Sequence, residues 1–350
     1  MINNKNITGI KKSIKFFVCC AVMIVCVFLY SDLSIPVSSA EKAKTPSDDV
    51  TITFTAVGDM GLASNYTKPY KGSFYELYDL NGPDYFCKNV TPIFDKSDCV
   101  IANLECALTD NQDPKIRKKQ AYSYKGYTKY TDILTSAGVD VVNLANNHTY
   151  DYSQEGYDDT VKALDDAGIG YFGNGTYLIK EINGINVGFI GIVSAYNWKN
   201  VKPATDYLKK NGADVIIVSF HWGNMSETTA NKDQIKAARY AIDCGADLVI
   251  GHHPHVLQGI EKYKGKYIVY SLGNFMFDGN IISDIENRTS IIFQQTFTFN
   301  LSEKKITDSS IDIIPILVTS SKSRNNFQPI LAEGKDKDAI LQKIKDRSGS

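Results

Sequence analysis

Cys244-Gly245-Ala246-Asp247-Leu248-Val249-Ile250-Gly251-His252-His253-Pro254-His255 is the stretch on which the fold turns. A glycine able to take the left-handed conformation stops a helix, a short apolar run follows, and histidines stand at the end of that run. The same unit occurs twice earlier. Ala137-Gly138-Val139-Asp140 leads into Val141-Val142-Asn143-Leu144-Ala145-Asn146-Asn147-His148, and Asn211-Gly212-Ala213-Asp214 leads into Val215-Ile216-Ile217-Val218-Ser219-Phe220 and His221. Short β-branched runs bounded by turn residues and fed by helices read as buried parallel strands of an α/β protein. The 350-residue chain has five histidines, and all five fall just after such strands. In open α/β sheets that carboxyl edge is where ligands bind.

Upstream, Val50-Thr51-Ile52-Thr53-Phe54-Thr55-Ala56-Val57 runs into Gly58-Asp59, and Cys99-Val100-Ile101-Ala102 runs into Asn103-Leu104-Glu105. Both predicted strands finish on a carboxylate. A short helix is expected around Tyr85 to Phe94, and Tyr130, Ile133, Leu134 and Ala137 repeat with the spacing of an amphipathic helix. Asp151, with Gln154 three residues on, reads as the cap of the following helix. Asn231, Ile235, Ala238 and Ile242 mark another helix, and Lys266 to Leu272 a strand entering Gly273-Asn274. Residues 291–318 alternate apolar and polar, as antiparallel strands exposed on one face do, and 335–350 read as a polar helix or tail. Lys115, Arg117, Lys118 and Lys119 make 110–125 a basic loop, taken as a solvated charged segment in preference to an anion-guiding rim.

Lys5, Lys11, Lys12 and Lys15 precede an apolar run of fifteen residues, Phe16 to Tyr30, which has the form of an export signal. The run is shorter than the roughly 20 residues of a spanning helix, but the small-residue site Ser38-Ser39-Ala40 lies ten residues beyond it. Residues 1–40 are therefore expected to be a signal peptide or an N-terminal membrane anchor, 41–49 a linker, and 50–350 one domain outside the cytoplasm. Beyond residue 40 the chain carries 34 basic against 38 acidic side chains, an excess of the wrong sign for nucleic acid. Cys87, Cys99, Cys106 and Cys244 are irregularly spaced in a domain large enough to need no staples, so free thiols are expected.

Asp59, Glu105, Asn147, His148, His221, His252, His253, His255 and Asn274 all follow predicted strands, which would gather them at one sheet edge. Carboxylate, amide and imidazole donors together suit Mn, Zn or Fe, as one or two divalent ions.

Gly58-Asp59, Asn103-Leu104-Glu105, Leu144-Ala145-Asn146-Asn147-His148, His221-Trp222-Gly223, His253-Pro254-His255-Val256 and Ser271-Leu272-Gly273-Asn274-Phe275 resemble, in order, the signatures of the CapA-type poly-γ-glutamate capsule synthesis proteins. That family is in turn similar to the calcineurin-like metallophosphoesterases. The resemblance implies an α/β fold, a two-sheet sandwich flanked by helices (αββα). It also implies that Asp59, Glu105, Asn147, His221, His253 and His255 are metal ligands and that His148 is the catalytic acid or electrophile. The implied partners are poly-γ-glutamate or a phosphoester substrate, membrane-bound capsule synthesis and export subunits, and the membrane itself through the N-terminus. Two departures stand out. The phosphoesterase pattern opens Asp-x-His, whereas Asp59 is followed by Met60-Gly61; and Gly-His-His-Pro-His leaves His252 as an alternative ligand to His253.

Overall fold

The computed structural model describes residues 48–64, 70–120, 122–278 and 283–348. Within them each repeated unit becomes a helix, a glycine stop and a parallel strand. Helices Thr131–Ala137, Val201–Lys210 and Lys232–Asp243 feed strands Val141–Asn143, Val215–His221 and Leu248–His252. Gly138, Gly212 and Gly245 have φ of 78°, 91° and 101°, which side chains resist and glycine does not. The expected signal or anchor lies outside the described residues. Among the described residues no helix is long and apolar enough to cross a membrane.

Most of the described strands form two large sheets, and Ala107–Leu108 with Lys125–Gly126 a small third one. The first runs Ile330–Leu331, Lys305–Leu317, Thr289–Asn300, Asp49–Met60, Cys99–Leu104, Val141–Asn143, Gly170–Phe172, with Asn274–Met276 also paired to the end of Asp49–Met60. The second runs Ile260–Tyr263, Lys266–Val269, Leu248–His252, Val215–His221, Ile185–Val193, Leu178–Ile182. Each has a parallel part that carries the donor residues and antiparallel strands beside it; the long hairpin of 289–317 is the alternating stretch expected from sequence.

Three apolar layers hold these sheets. Phe54, Ile101, Phe189, Ile217 and Ile250 pack face to face between them. Val100, Val142, Leu134 and Leu164 join the first sheet to its helices, and Val218, Val249, Leu208 and Ala238 join the second sheet to its own. At about 1.5–3 kcal/mol for each fully buried large apolar side chain, these layers dominate the stability. The order is helix, sheet, sheet, helix, the αββα sandwich expected. The C-terminal helix Gly334–Arg347 is polar outside, yet buries Ile340 and Ile344 in the intersheet layer.

Four local readings change. The helix expected at 85–94 is two one-turn helices, Asp84–Cys87 and Thr91–Phe94, with Lys88, Asn89 and Val90 between them. Asn231 is not on the helix face but caps it, its side chain accepting from the Gln234 N–H while Gln234 returns a bond to the Asn231 N–H. Asp151 caps nothing: the helix starts at Ser153 and has no side-chain cap. The donors also do not share one sheet edge. Asp59, Glu105, Asn147 and His148 follow strands of the first sheet, and His221, His252, His253 and His255 strands of the second, because the two inner faces stack with their carboxyl ends at the same end. Cys87, Cys99, Cys106 and Cys244 are free thiols.

The end of the first strand is aimed by a bulge. Ala56 pairs with Ile101 but Asp59 with Asn103, three residues opposing two, which twists the strand and turns the Asp59 carboxylate inward. Gly58 makes this possible, since a Cβ there would lie 2.0 Å from the Gly273 carbonyl oxygen, which itself accepts the Asp59 N–H at 3.0 Å. No rotamer relieves a backbone clash. Gly58→Ala is expected to cost about 3 kcal/mol in denaturant unfolding, and a change within experimental error would mean that the bulge is not held by this contact.

Candidate metal centre

Asp59 and Glu105 are both fully buried and lie among the imidazoles, but in opposite situations. Asp59 is well supplied with donors. Its Oδ1 accepts from Asn103 Nδ2 at 2.9 Å and His252 Nδ1 at 3.1 Å, and its Oδ2 accepts from the His253 N–H at 3.2 Å and lies 3.2 Å from His255 Nδ1. Burial by itself would raise its pKa, but the His252 and His255 rings beside it hold it well below the usual carboxylate range. Among the described residues neither oxygen of Glu105 has a hydrogen-bond partner. Burial, and then the nearby Asp59 and Asp151 carboxylates, push its pKa well up.

Glu105 lies between two groups of possible ligands. Its own carboxylate, His221 and His253 present atoms within 4.8 Å of one another, and so do Asp59, Glu105 and His255. His221 Nε2 is 3.0 Å from His253 Nδ1, 2.6 Å from Asn147 Oδ1 and 3.5 Å from Glu105 Oε1. One ring proton can satisfy only one of these contacts, so the other lone pairs converge on each other unless a cation stands among them. Burial lowers the pKa of His221 well below the usual imidazole value and, with the charge of His255, brings His253 down to about 4. Both rings are neutral near pH 7, the form that binds metal. The orphaned carboxylate and the convergent donors fit a divalent ion, and the residues form a candidate divalent-metal site.

The sequence-predicted ligands Asp59, Glu105, Asn147, His221, His253 and His255 come together here; His252 does not join either group but turns its Nδ1 to Asp59. His253 and His255 have φ of 96° and 59°, strained for residues with side chains, with Pro254 between them. This backbone sends two side chains of one loop to the same centre. Asn274 orients the second, its Oδ1 accepting from His255 Nδ1 at 2.9 Å, which leaves His255 Nε2 facing Glu105 at 3.8 Å. Beneath them Asn143 and Asn146 donate to Asn103 Oδ1, and Asn103 donates to Asp59, a buried amide relay that sequence reading missed.

His148 stands to one side, its Nε2 3.9 Å from Glu105 Oε1. Its Nδ1 donates to Asp151 Oδ2 at 2.7 Å. Asp151 is fully buried and is held in turn by the Tyr124 N–H at 2.8 Å and Gln120 Nε2 at 2.6 Å. This carboxylate fixes the tautomer and orientation of the ring. It is the main functional residue misread from sequence. The available signal was its place three residues after a histidine, in the same turn.

A cleft of about 530 Å³ opens over His148, Asn147, His253 and His255, walled by Tyr124 and Phe277. A smaller lobe of about 220 Å³, with Ser194, Tyr196, Asn224 and Asp233, adjoins it across Asn147 and His253.

Fold and centre together define a four-layer αββα protein with a carboxylate and histidine centre at its strand ends. Residues 53–279 match the family of the bacterial capsule synthesis protein PGA_cap, and the chain belongs to that family. It is similar to the capsule biosynthesis protein CapA of Bacillus anthracis, 33% identical over 65% of this chain and 60% of that protein, so less than two thirds of that relative is spanned. The PGA biosynthesis protein CapA of Bacillus subtilis is 31% identical over 77% of this chain and 74% of that one. Among solved structures, a phosphatase from Mycoplasma pneumoniae covers 76% of this chain and 94% of its own at 15% identity, with a TM-score of 0.46.

Proposed function

We propose that this chain is an exported protein of poly-γ-glutamate capsule synthesis or export, acting as a metal-dependent hydrolase or transferase on an anionic polymer or phosphoester. The observation that carries the reading is Glu105, buried with no hydrogen-bond partner among the described residues and shared by two groups of possible ligands, one with His221 and His253 and one with Asp59 and His255. Asp59, Glu105 and His255 would hold one divalent ion of the Mn, Zn or Fe class, and Glu105, Asn147, His221 and His253 a second. Such ions supply Lewis acidity and neutralise the charge of an anionic group. His148 faces the cleft, where its Nε2–H would donate a proton to the leaving atom as that atom's bond to the scissile carbon or phosphorus breaks and a water oxygen, or an acceptor hydroxyl in a transfer, bonds in its place, the proton shed by the incoming group returning to the ring. Asp151 keeps the ring aimed, and Tyr124 and Phe277 limit water on that side. Relatives named for PGA and capsule biosynthesis support the polymer; residues 1–40 support a location outside the cytoplasm with membrane-bound synthesis and export subunits.

The test is the metal content of the purified chain together with metal-dependent cleavage of poly-γ-glutamate or of a small phosphodiester. About two ions per chain and turnover abolished by chelation are expected; protein that takes up no divalent ion would end this reading. Met60-Gly61, which deprives Asp59 of the imidazole of an Asp-x-His pattern, favours a second reading, a subunit that holds polymer without cutting it. Full metal occupancy without turnover of either substrate would select it.

A further inference from the structure

Next to the cleft lies a second hollow of about 610 Å³, lined by Pro114, Lys115, Arg117, Lys118, Lys119 and Gln120. Four cations stand within five residues of a domain whose overall balance is negative. Among the described residues no carboxylate is within ion-pair distance of any of them, whereas Lys129 pairs with Asp79 and Arg347 with Glu286; Lys118 Nζ lies 5.9 Å from the centroid of the Tyr150 ring. Arg117 also keeps a buried Nε without a hydrogen-bond partner among the described residues. Uncompensated like charges repel, and such a cluster costs stability unless an anion is there to be met.

The loop is fixed against the reactive side of the centre. Asp113 accepts the Lys115 N–H at 2.9 Å, the Lys118 N–H donates to the Asp151 carbonyl at 2.8 Å, and Gln120 Nε2 donates to the Asp151 carboxylate at 2.6 Å. The residue that orients His148 therefore anchors the basic loop as well, and Gln120 lines both the basic hollow and the cleft. A ligand lying along the loop would reach His148 without leaving the surface.

We propose that residues 114–120 form a docking track for a polycarboxylate chain, feeding it into the cleft at His148; this rests on the reading of the cleft as acting on an anionic polymer. A chain with one carboxylate on each unit can meet several of the cations at once, which a single small anion cannot. The hollow is open but shares Gln120 with the cleft, so a chain laid along it leads on into the cleft, which suits a strand of polymer better than the plane of a lipid surface.

The test compares the full chain in detergent with a triple variant, Lys115→Gln, Lys118→Gln and Lys119→Gln, leaving the partly buried Arg117 in place. The lysine side chains are exposed, and the backbone bond from residue 118 to Asp151 survives the change. At low ionic strength, binding of labelled poly-γ-glutamate is expected to weaken roughly tenfold or more, and its salt dependence to flatten. Metal content and turnover of a small phosphodiester stay as in the wild type. Equal polymer affinity in the two proteins would overturn the track. So would a variant that loses binding only to phosphatidylglycerol vesicles, which would make the loop a lipid contact. If polymer binding falls in the variant while neither protein cleaves polymer or ester, the track stands and the hydrolase reading alone fails.

Discussion

Glu105→Gln is expected to abolish metal uptake by the purified protein and, at the same time, to make the metal-free protein harder to unfold at about pH 8. The two effects have one cause. Glu105 is buried, neither of its oxygens is hydrogen-bonded among the described residues, and Asp59 and Asp151 add negative charge around it. Without a cation, its ionised form is opposed by desolvation and by both neighbours. Its folded pKa lies above the ordinary 4.5, so its contribution to stability is fully present below that value and is lost as pH rises through the folded value. Asp59 works in the opposite direction. Its folded pKa is depressed, so its contribution is present above the ordinary 3.8 and fades only as pH falls through the folded value.

A glutamine at 105 has no charge to lose and removes the penalty at neutral and alkaline pH. We expect a gain of roughly 2 kcal/mol for the metal-free variant near pH 8, shrinking towards pH 5. With saturating Mn²⁺ or Zn²⁺ the order reverses, because only the wild type is stabilised by binding an ion in the folded state alone. Thermal unfolding with chelator and with metal, at both pH values, shows the crossing directly. A variant less stable than wild type in chelator would mean that Glu105 is satisfied by contacts other than a cation.

His148→Ala should leave metal content unchanged and lower kcat by roughly 10²-fold or more, with KM little altered. The ring is absent from both groups of candidate ligands and points its Nε2 towards the cleft side of Glu105. A group that acts only as charge develops on the leaving atom affects turnover and spares binding. Asp151→Asn is the companion variant. Its amide can still accept a hydrogen bond from His148 Nδ1, but it carries no charge to stabilise a protonated ring. A fall in kcat that is smaller than that of His148→Ala, together with a changed limb of the pH profile, would separate an orienting carboxylate from a merely structural one. Should His148→Ala lose its metal as well, the residue is a ligand and its role as proton donor is wrong.

Much of this molecule was legible in the chain itself. The three units that stop a helix at glycine and run an apolar strand into a histidine depend on residues adjacent in sequence, because helix stops, strand runs and turns are settled by local backbone preferences and by side-chain period. The hairpin of 289–317 followed from its alternation for the same reason. The strand-end positions Asp59, Glu105, Asn147, His148, His221, His252, His253, His255 and Asn274 were also readable, and the resemblance to the CapA-type proteins is what singled out Asp59, Glu105, Asn147, His221, His253 and His255 among them as expected ligands. What only the tertiary structure decided is which of these ends meet. Two stacked sheets, not one edge, collect the donors, because strand period tells which face of a strand is apolar and not which other strand will cover it. His253 rather than His252 joins His221 and Glu105, because the left-handed backbone of the His253-Pro254-His255 loop turns it there while His252 bonds to Asp59. Asp151 passed for a helix cap because a carboxylate before a helix carries the same local signature either way; its buried bonds to His148, Tyr124 and Gln120 exist only once segments from different parts of the chain are brought together in space.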